Sequence, residues 1–112
     1  MNKPRATTDG QPPREGFENA SAPAPIEAAS GQHAAYWVLP EEERAKGFAR
    51  PVRTSYTHAK CGTVTTMGRA LAETYARDPS YYGATFCCAC RAHFPVGADG
   101  EFAWEDGSKV GT

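Results

Sequence analysis

Apolar side chains are sparse over the first 32 residues and dense after them. Met1, Phe17 and Ile26 are the only large ones before residue 33, whereas eleven of the twelve aromatics follow it. The first patterned segment is Tyr36-Trp37-Val38-Leu39, a short core-forming run closed by Pro40. Pro40-Glu41-Glu42-Glu43-Arg44-Ala45-Lys46 then predicts a short helix. Proline fits a first turn because its missing N–H is not needed there, the acids suit the positive end, and Gly47 supplies the stop. Pro51 to Thr57 is rich in β-branched and aromatic residues and predicts a strand.

Residues 67–78 predict the main helix. Met67, Ala70, Leu71, Thr74 and Tyr75 recur at three- and four-residue spacing, which makes one mostly apolar, core-facing stripe. Thr65 or Thr66 is placed to cap it, and Asp78-Pro79 to end it. Arg69 with Glu73, and Glu73 with Arg77, sit at i,i+4. Further on, Ala84-Thr85-Phe86 and His93-Phe94-Pro95-Val96 predict two strands. Ala98-Asp99-Gly100 predicts a turn, and Glu101 to Glu105 a strand with Phe102 and Trp104 on one face. Asp106-Gly107 is a second turn.

Composition divides the chain in two. Residues 1–32 hold five of the nine prolines and six alanines. So little apolar surface does not offset roughly 1–2 kcal/mol per residue of backbone entropy, so 1–32 is expected to be a flexible, Pro/Ala-rich, disordered arm. Residues 33–112 form the folded domain. Some 80 residues bury a modest core, and a staple is expected.

The four cysteines are the candidates for that staple, all within residues 61–90. The first residues lack the apolar stretch of a secretory signal, and no apolar run approaches a membrane span. The expected compartment is therefore a reducing cytoplasm, where clustered cysteines serve as metal ligands more often than as disulfides.

Two short motifs carry the chemistry: His58-Ala59-Lys60-Cys61-Gly62 and Cys87-Cys88-Ala89-Cys90. Donors three apart on a tight turn bring both atoms onto one ion. Gly62 suits the positive φ that such a knuckle needs. Two knuckles supply the four N/S donors of a closed tetrahedral site, and the 25 residues between Cys61 and Cys87 leave room for the helix. The expected cofactor is one structural zinc per chain on His58, Cys61, Cys87 and Cys90. Cys88 in place of Cys87, or His93 in place of His58, are the alternates. The pattern resembles the zinc-ribbon class over residues 54–96, with one of four cysteines replaced by histidine and a helix inserted. The expected fold is thus a small α+β zinc-stabilised domain, with ribbon-like knuckles, short strands and one inserted helix, behind the arm. The run from Tyr56 to Val96, with Cys61-Gly62-Thr63-Val64-Thr65-Thr66-Met67 and Ala72-Glu73-Thr74-Tyr75-Ala76-Arg77-Asp78-Pro79, also resembles short uncharacterised proteins of bacteriophages and prophages. That resemblance implies a host cytoplasm or a virion as the setting.

Catalysis is not expected. A zinc deaminase needs H-x-E and P-C-x-x-C, but Ala59-Lys60 follows His58 and Phe86 precedes Cys87. Four protein donors also leave no open position for a water. A non-catalytic protein-interaction module is the expected role, either a virion component or an inhibitor of a host protein. The alternative is a nucleic-acid-binding ribbon. Between Arg44 and Ala72 lie six cations and no acid, so Arg44, Lys46, Arg50, Arg53, Lys60 and Arg69 are its candidate contacts. A net charge of −1 gives nucleic acid no general attraction.

Overall fold

Along the chain, the computed structural model, which describes residues 5–112, runs β1 (Ala6–Thr7), β2 (Trp37–Val38), α1 (Glu41–Arg44), β3 (Ser55–His58) and β4 (Val64–Thr66), then α2 (Arg69–Arg77), β5 (Ala84–Cys87), β6 (Ala92–Pro95) and β7 (Phe102–Trp104). These make an antiparallel β1–β2 pair, a three-stranded sheet in the order β4-β3-β7, and a β5–β6 hairpin.

The three-stranded sheet organises the core. Alternation along β3 sends Tyr56 and His58 to the same face. There the register sets them opposite Trp104 and Phe102 of β7, which are buried as the alternation of that segment predicts. Tyr56 meets Phe102 and Trp104 edge-on, at centroid distances of 5.4 and 6.0 Å. Helix α2 covers this face through Ala72 and Tyr75, the Tyr75 ring lying 5.5 Å from Trp104. Enclosing a ring as large as Phe102, which has no exposed surface, stabilises the fold by roughly 1.5–3 kcal/mol. The hairpin is tied in by the Tyr56 hydroxyl, which donates to the Phe86 carbonyl at 2.5 Å; burial pushes that phenol up to about 12.

The helices differ in detail from the periodicity. Helix α1 is shorter than expected: it ends at Arg44 with Ala45 as C-cap, and Gly47, at φ +115, lies beyond the turn that follows. The main helix begins at Arg69, with Gly68 as its N-cap and no side-chain cap. Thr65 and Thr66, expected as caps, instead belong to β4, because the β-branched run Val64-Thr65-Thr66 pairs with β3 and the Met67 amide still bonds to Thr54 at 2.8 Å. The buried face of α2 is Ala72, Thr74, Tyr75 and Ala76, so the stripe is rotated from the one expected; Leu71 is only partly buried. Glu73 joins Arg69 at 2.9 Å as expected, but its other oxygen takes Arg44 of α1 at 2.5 Å. Arg77 donates to the Gly47 carbonyl instead.

Of residues 1–32, expected to be a flexible arm, 1–4 lie outside the described residues, and 5–32 lie against the rest of the chain through small side chains. Ala6 and Thr7 pair with Val38 and Trp37, and Ala22, Pro23 and Ala24 are buried. The Trp37 indole donates to the Ala20 carbonyl at 3.0 Å. Of the two large apolar residues in this span, Phe17 is half-buried and Ile26 exposed. How firmly the segment is held is a dynamic property, which hydrogen exchange measures. Among the described residues, no helix is long and apolar enough to cross a membrane.

Candidate metal centre

His58 closes β3, and the chain turns at once. The Cys61 and Gly62 amides both reach back to the His58 carbonyl, at 3.3 and 2.7 Å, and Gly62 stands at φ +76. This tight turn brings Cys61 beneath His58. Cys87 closes β5 in the same way. The Arg91 amide returns to the Cys87 carbonyl at 2.8 Å, and the Cys90 amide points at the Cys87 sulfur at 3.5 Å. Arg91 lies at φ 55, the one non-glycine residue with positive φ among those described. It holds in the second knuckle the place that Gly62 holds in the first.

The two turns face each other. One donor atom from each of His58, Cys61, Cys87 and Cys90 lies within 4.8 Å of the others, so the group can hold a metal ion. The Cys61 and Cys87 sulfurs are 3.5 Å apart, and Cys90 Sγ is 3.6 Å from His58 Nδ1. His58 and Cys87 are buried, whereas Cys61 and Cys90 sit at the surface.

The His58 ring is held by two aromatic rings and a carboxylate. It stacks against both Phe94 and Phe102, with centroids at 4.6 and 4.7 Å and planes 26° from parallel in both pairs. Its Nε2 bonds to Glu101 Oε1 at 2.8 Å, and Lys60 Nζ lies 3.6 Å from the other oxygen of that carboxylate. The bond to Glu101 raises the His58 pKa above its ordinary value, and the same bond holds Glu101 below its own. With Nε2 engaged, Nδ1 is left facing the sulfurs. A ligating histidine characteristically gives its second nitrogen to a carboxylate in this way, which fixes tautomer and ring orientation.

The thiols are unequal. Hydrogen bonding from Thr63 lowers Cys61 to about 6, whereas desolvation and the adjoining Cys87 and Cys61 groups push Cys90 up to about 11.

Neither alternate ligand joins the group. The Cys88 amide donates to Thr65 Oγ1 at 3.1 Å, and its thiol faces the Val64 carbonyl at 3.6 Å. His93 turns toward the N-terminal segment, where its Nε2 meets the Tyr36 hydroxyl at 2.8 Å and its ring lies 5.3 Å from that of His33. Glu101 was missed in the sequence because it lies 43 residues from His58 and reads as one more polar position in an alternating strand. Arg91 was missed because a positive φ is expected at glycine.

The basic stretch does not form one free face. Arg44 pairs with Glu73 at 2.5 Å and donates to the Leu39 carbonyl at 2.9 Å. Arg53 is only 8 % exposed; it bonds to Asp106 and Ser108 at 3.1 and 2.6 Å and lies 4.9 Å over the Trp104 ring. Lys46 pairs with Glu43 at 3.0 Å, and Arg50 donates to the Thr112 carbonyl at 3.2 Å. Lys60 and Arg69, facing Glu101 and Glu73, are largely exposed. No protein-family model, curated protein or solved structure matches this chain.

Proposed function

We propose that the chain is a non-catalytic protein-interaction module whose fold is stapled by one structural zinc ion on His58, Cys61, Cys87 and Cys90. The observation that carries the zinc reading is the four-donor cluster with His58 Nδ1 left free by Glu101. Three thiolates and an imidazole suit zinc in both softness and number. Sulfurs bound tetrahedrally at about 2.3 Å stand about 3.8 Å apart. The 3.5 Å between Cys61 and Cys87 requires only a small outward shift to reach that spacing. Four protein donors complete such an ion, which is why the role is read as structural. An activated water has no position to occupy.

The choice of a protein partner rests on the surface. Two of the six candidate nucleic-acid contacts, Arg44 and Arg53, are built into the fold by their ion pairs, and the rest do not gather into an unopposed stripe. Ile26, Phe48 and Val64 are instead large apolar side chains left exposed. A phage or prophage setting, as virion component or host-protein inhibitor, belongs to this reading and rests on the resemblance of the 56–96 run. A salt titration of binding to single- and double-stranded nucleic acid tests the choice. The expected result is no binding at moderate salt. Affinity that falls steeply with log salt, as phosphate neutralisation requires, would replace this reading with the nucleic-acid one.

A further inference from the structure

The second knuckle has a visitor. Residues 26–33 form a small closed loop: Ile26 bridges to His33, the Glu27 amide bonds to Gln32 at 2.7 Å, and the Gly31 amide to Glu27 at 2.8 Å. This loop sits against Arg91. A side chain at Gly31 would place its Cβ 2.5 Å from the Arg91 carbonyl oxygen, so only glycine permits the approach. The Arg91 guanidinium donates to the Ala29 carbonyl. Just beyond the knuckle, on β6, His93 meets Tyr36 at 2.8 Å, and the Tyr36 hydroxyl also accepts the His33 amide at 3.2 Å. His33 is turned by its own bond to Ala24.

These contacts depend on the shape of the knuckle. Arg91 meets the loop with the carbonyl of a left-handed residue, a conformation that an arginine adopts at a cost and keeps only where its surroundings hold it. What holds it is the turn from Cys87 to Cys90, and those two residues are both in the ligand group. Drawing both sulfurs onto one ion fixes the turn, and with it the carbonyl and guanidinium that receive the loop.

We propose that the outer face of the second knuckle is the docking site of residues 26–36, and that docking of this segment and metal binding are thermodynamically coupled. The coupling rests on the metal reading above, and it is reciprocal: what loosens the segment must weaken the metal, by the same factor by which metal loss loosens the segment. It gives the N-terminal segment a function as a reporter of the metal state, closed on the domain when the ion is bound and released as the knuckle relaxes.

The test uses the full-length protein and two matched substitutions. Gly31→Ala and Gly16→Ala both place alanine at positive φ, +82 and +86, so they carry similar backbone strain, but only Gly31 faces Arg91. Zinc affinity is measured by competition with a chromophoric chelator, and exchange over residues 26–36 by hydrogen–deuterium mass spectrometry at full zinc occupancy. Gly31→Ala is expected to speed exchange across 26–36 and to lower zinc affinity about five- to a hundredfold, the usual span of such couplings. Gly16→Ala is expected to leave both unchanged. Arg91→Gly keeps the left-handed turn but removes the guanidinium, and should release the segment even if Gly31→Ala folds poorly. A released segment with unchanged zinc affinity would overturn the coupling. A segment still protected in both Gly31→Ala and Arg91→Gly would overturn the docking site. Wild-type protein that takes up no zinc would overturn the metal reading, and the coupling with it.

Discussion

Glu101 holds His58 by its far nitrogen: 2.8 Å separates Oε1 from Nε2, while Nδ1, across the ring, stands 3.6 Å from the Cys90 sulfur. One carboxylate thereby decides which nitrogen can face the thiols. Phe94 and Phe102 hold the plane of the ring, and Glu101 holds its rotation within that plane. Aiming by both means leaves the imidazole little conformational freedom to lose on binding an ion.

Replacing the carboxylate should therefore weaken the metal site without removing a ligand. Glu101→Gln keeps the shape but loses the charge, and Glu101→Ala loses the orienting bond. Losses of about 10–100-fold in zinc affinity are expected, larger for alanine. Chelator competition measures them. Unchanged affinity in Glu101→Ala would mean that ring packing alone orients His58.

The four cysteines should separate sharply. Cys61→Ser, Cys87→Ser and Cys90→Ser each remove a donor, and each should abolish stoichiometric zinc binding and lower the unfolding midpoint substantially. Cys88→Ser should be mild, because that thiol reaches only the Val64 carbonyl, at 3.6 Å. Thermal unfolding followed by circular dichroism, with metal analysis of each variant, checks this. Cys88→Ser as the most damaging of the four would show the ligand set to be misassigned.

Zinc uptake should release protons, with an affinity that rises with pH. In the metal-free site Cys61 is ionised above about 6, while Cys90 keeps its proton up to about 11. The metal-bound site holds neither proton, so raising the pH favours binding by about tenfold per unit for each proton displaced. Between pH 7 and 9 the Cys90 proton contributes in full. On acidification the His58 proton, which Glu101 holds above its ordinary range, joins it, and below about 6 the Cys61 proton follows, so the dependence steepens. Calorimetry in buffers of different ionisation enthalpy counts the protons directly. Uptake without proton release over pH 7–9 would contradict the raised Cys90 thiol.

Much of the site was legible because its signal is local. His58 with Cys61, and Cys87 with Cys90, are each contained in a four-residue turn, so spacing alone identifies the half-sites. The alternation of Phe102 and Trp104 likewise reports a strand with one buried face. What was not legible depends on contacts across the chain. Glu101 reaches His58 only because β7 pairs with β3. Val64-Thr65-Thr66 suits either a strand or a helix start, and its pairing with Ser55-Tyr56-Thr57 decides between them. The N-terminal segment shows the limit of counting large apolar residues. Ala22, Pro23 and Ala24 are buried, yet small side chains that bury themselves by close approach leave no periodic signal.

The central claim, that a metal ion staples this domain, is tested most directly by measuring metal content and fold on one sample. The purified full-length protein is analysed for bound metals, then titrated with a strong chelator while its far- and near-ultraviolet circular dichroism are recorded. The account predicts one zinc per chain, and loss of the tertiary signal in step with loss of the metal, because metal-binding free energy in so small a domain is folding free energy. A metal-free protein with an unaltered spectrum and a sharp unfolding transition would contradict it.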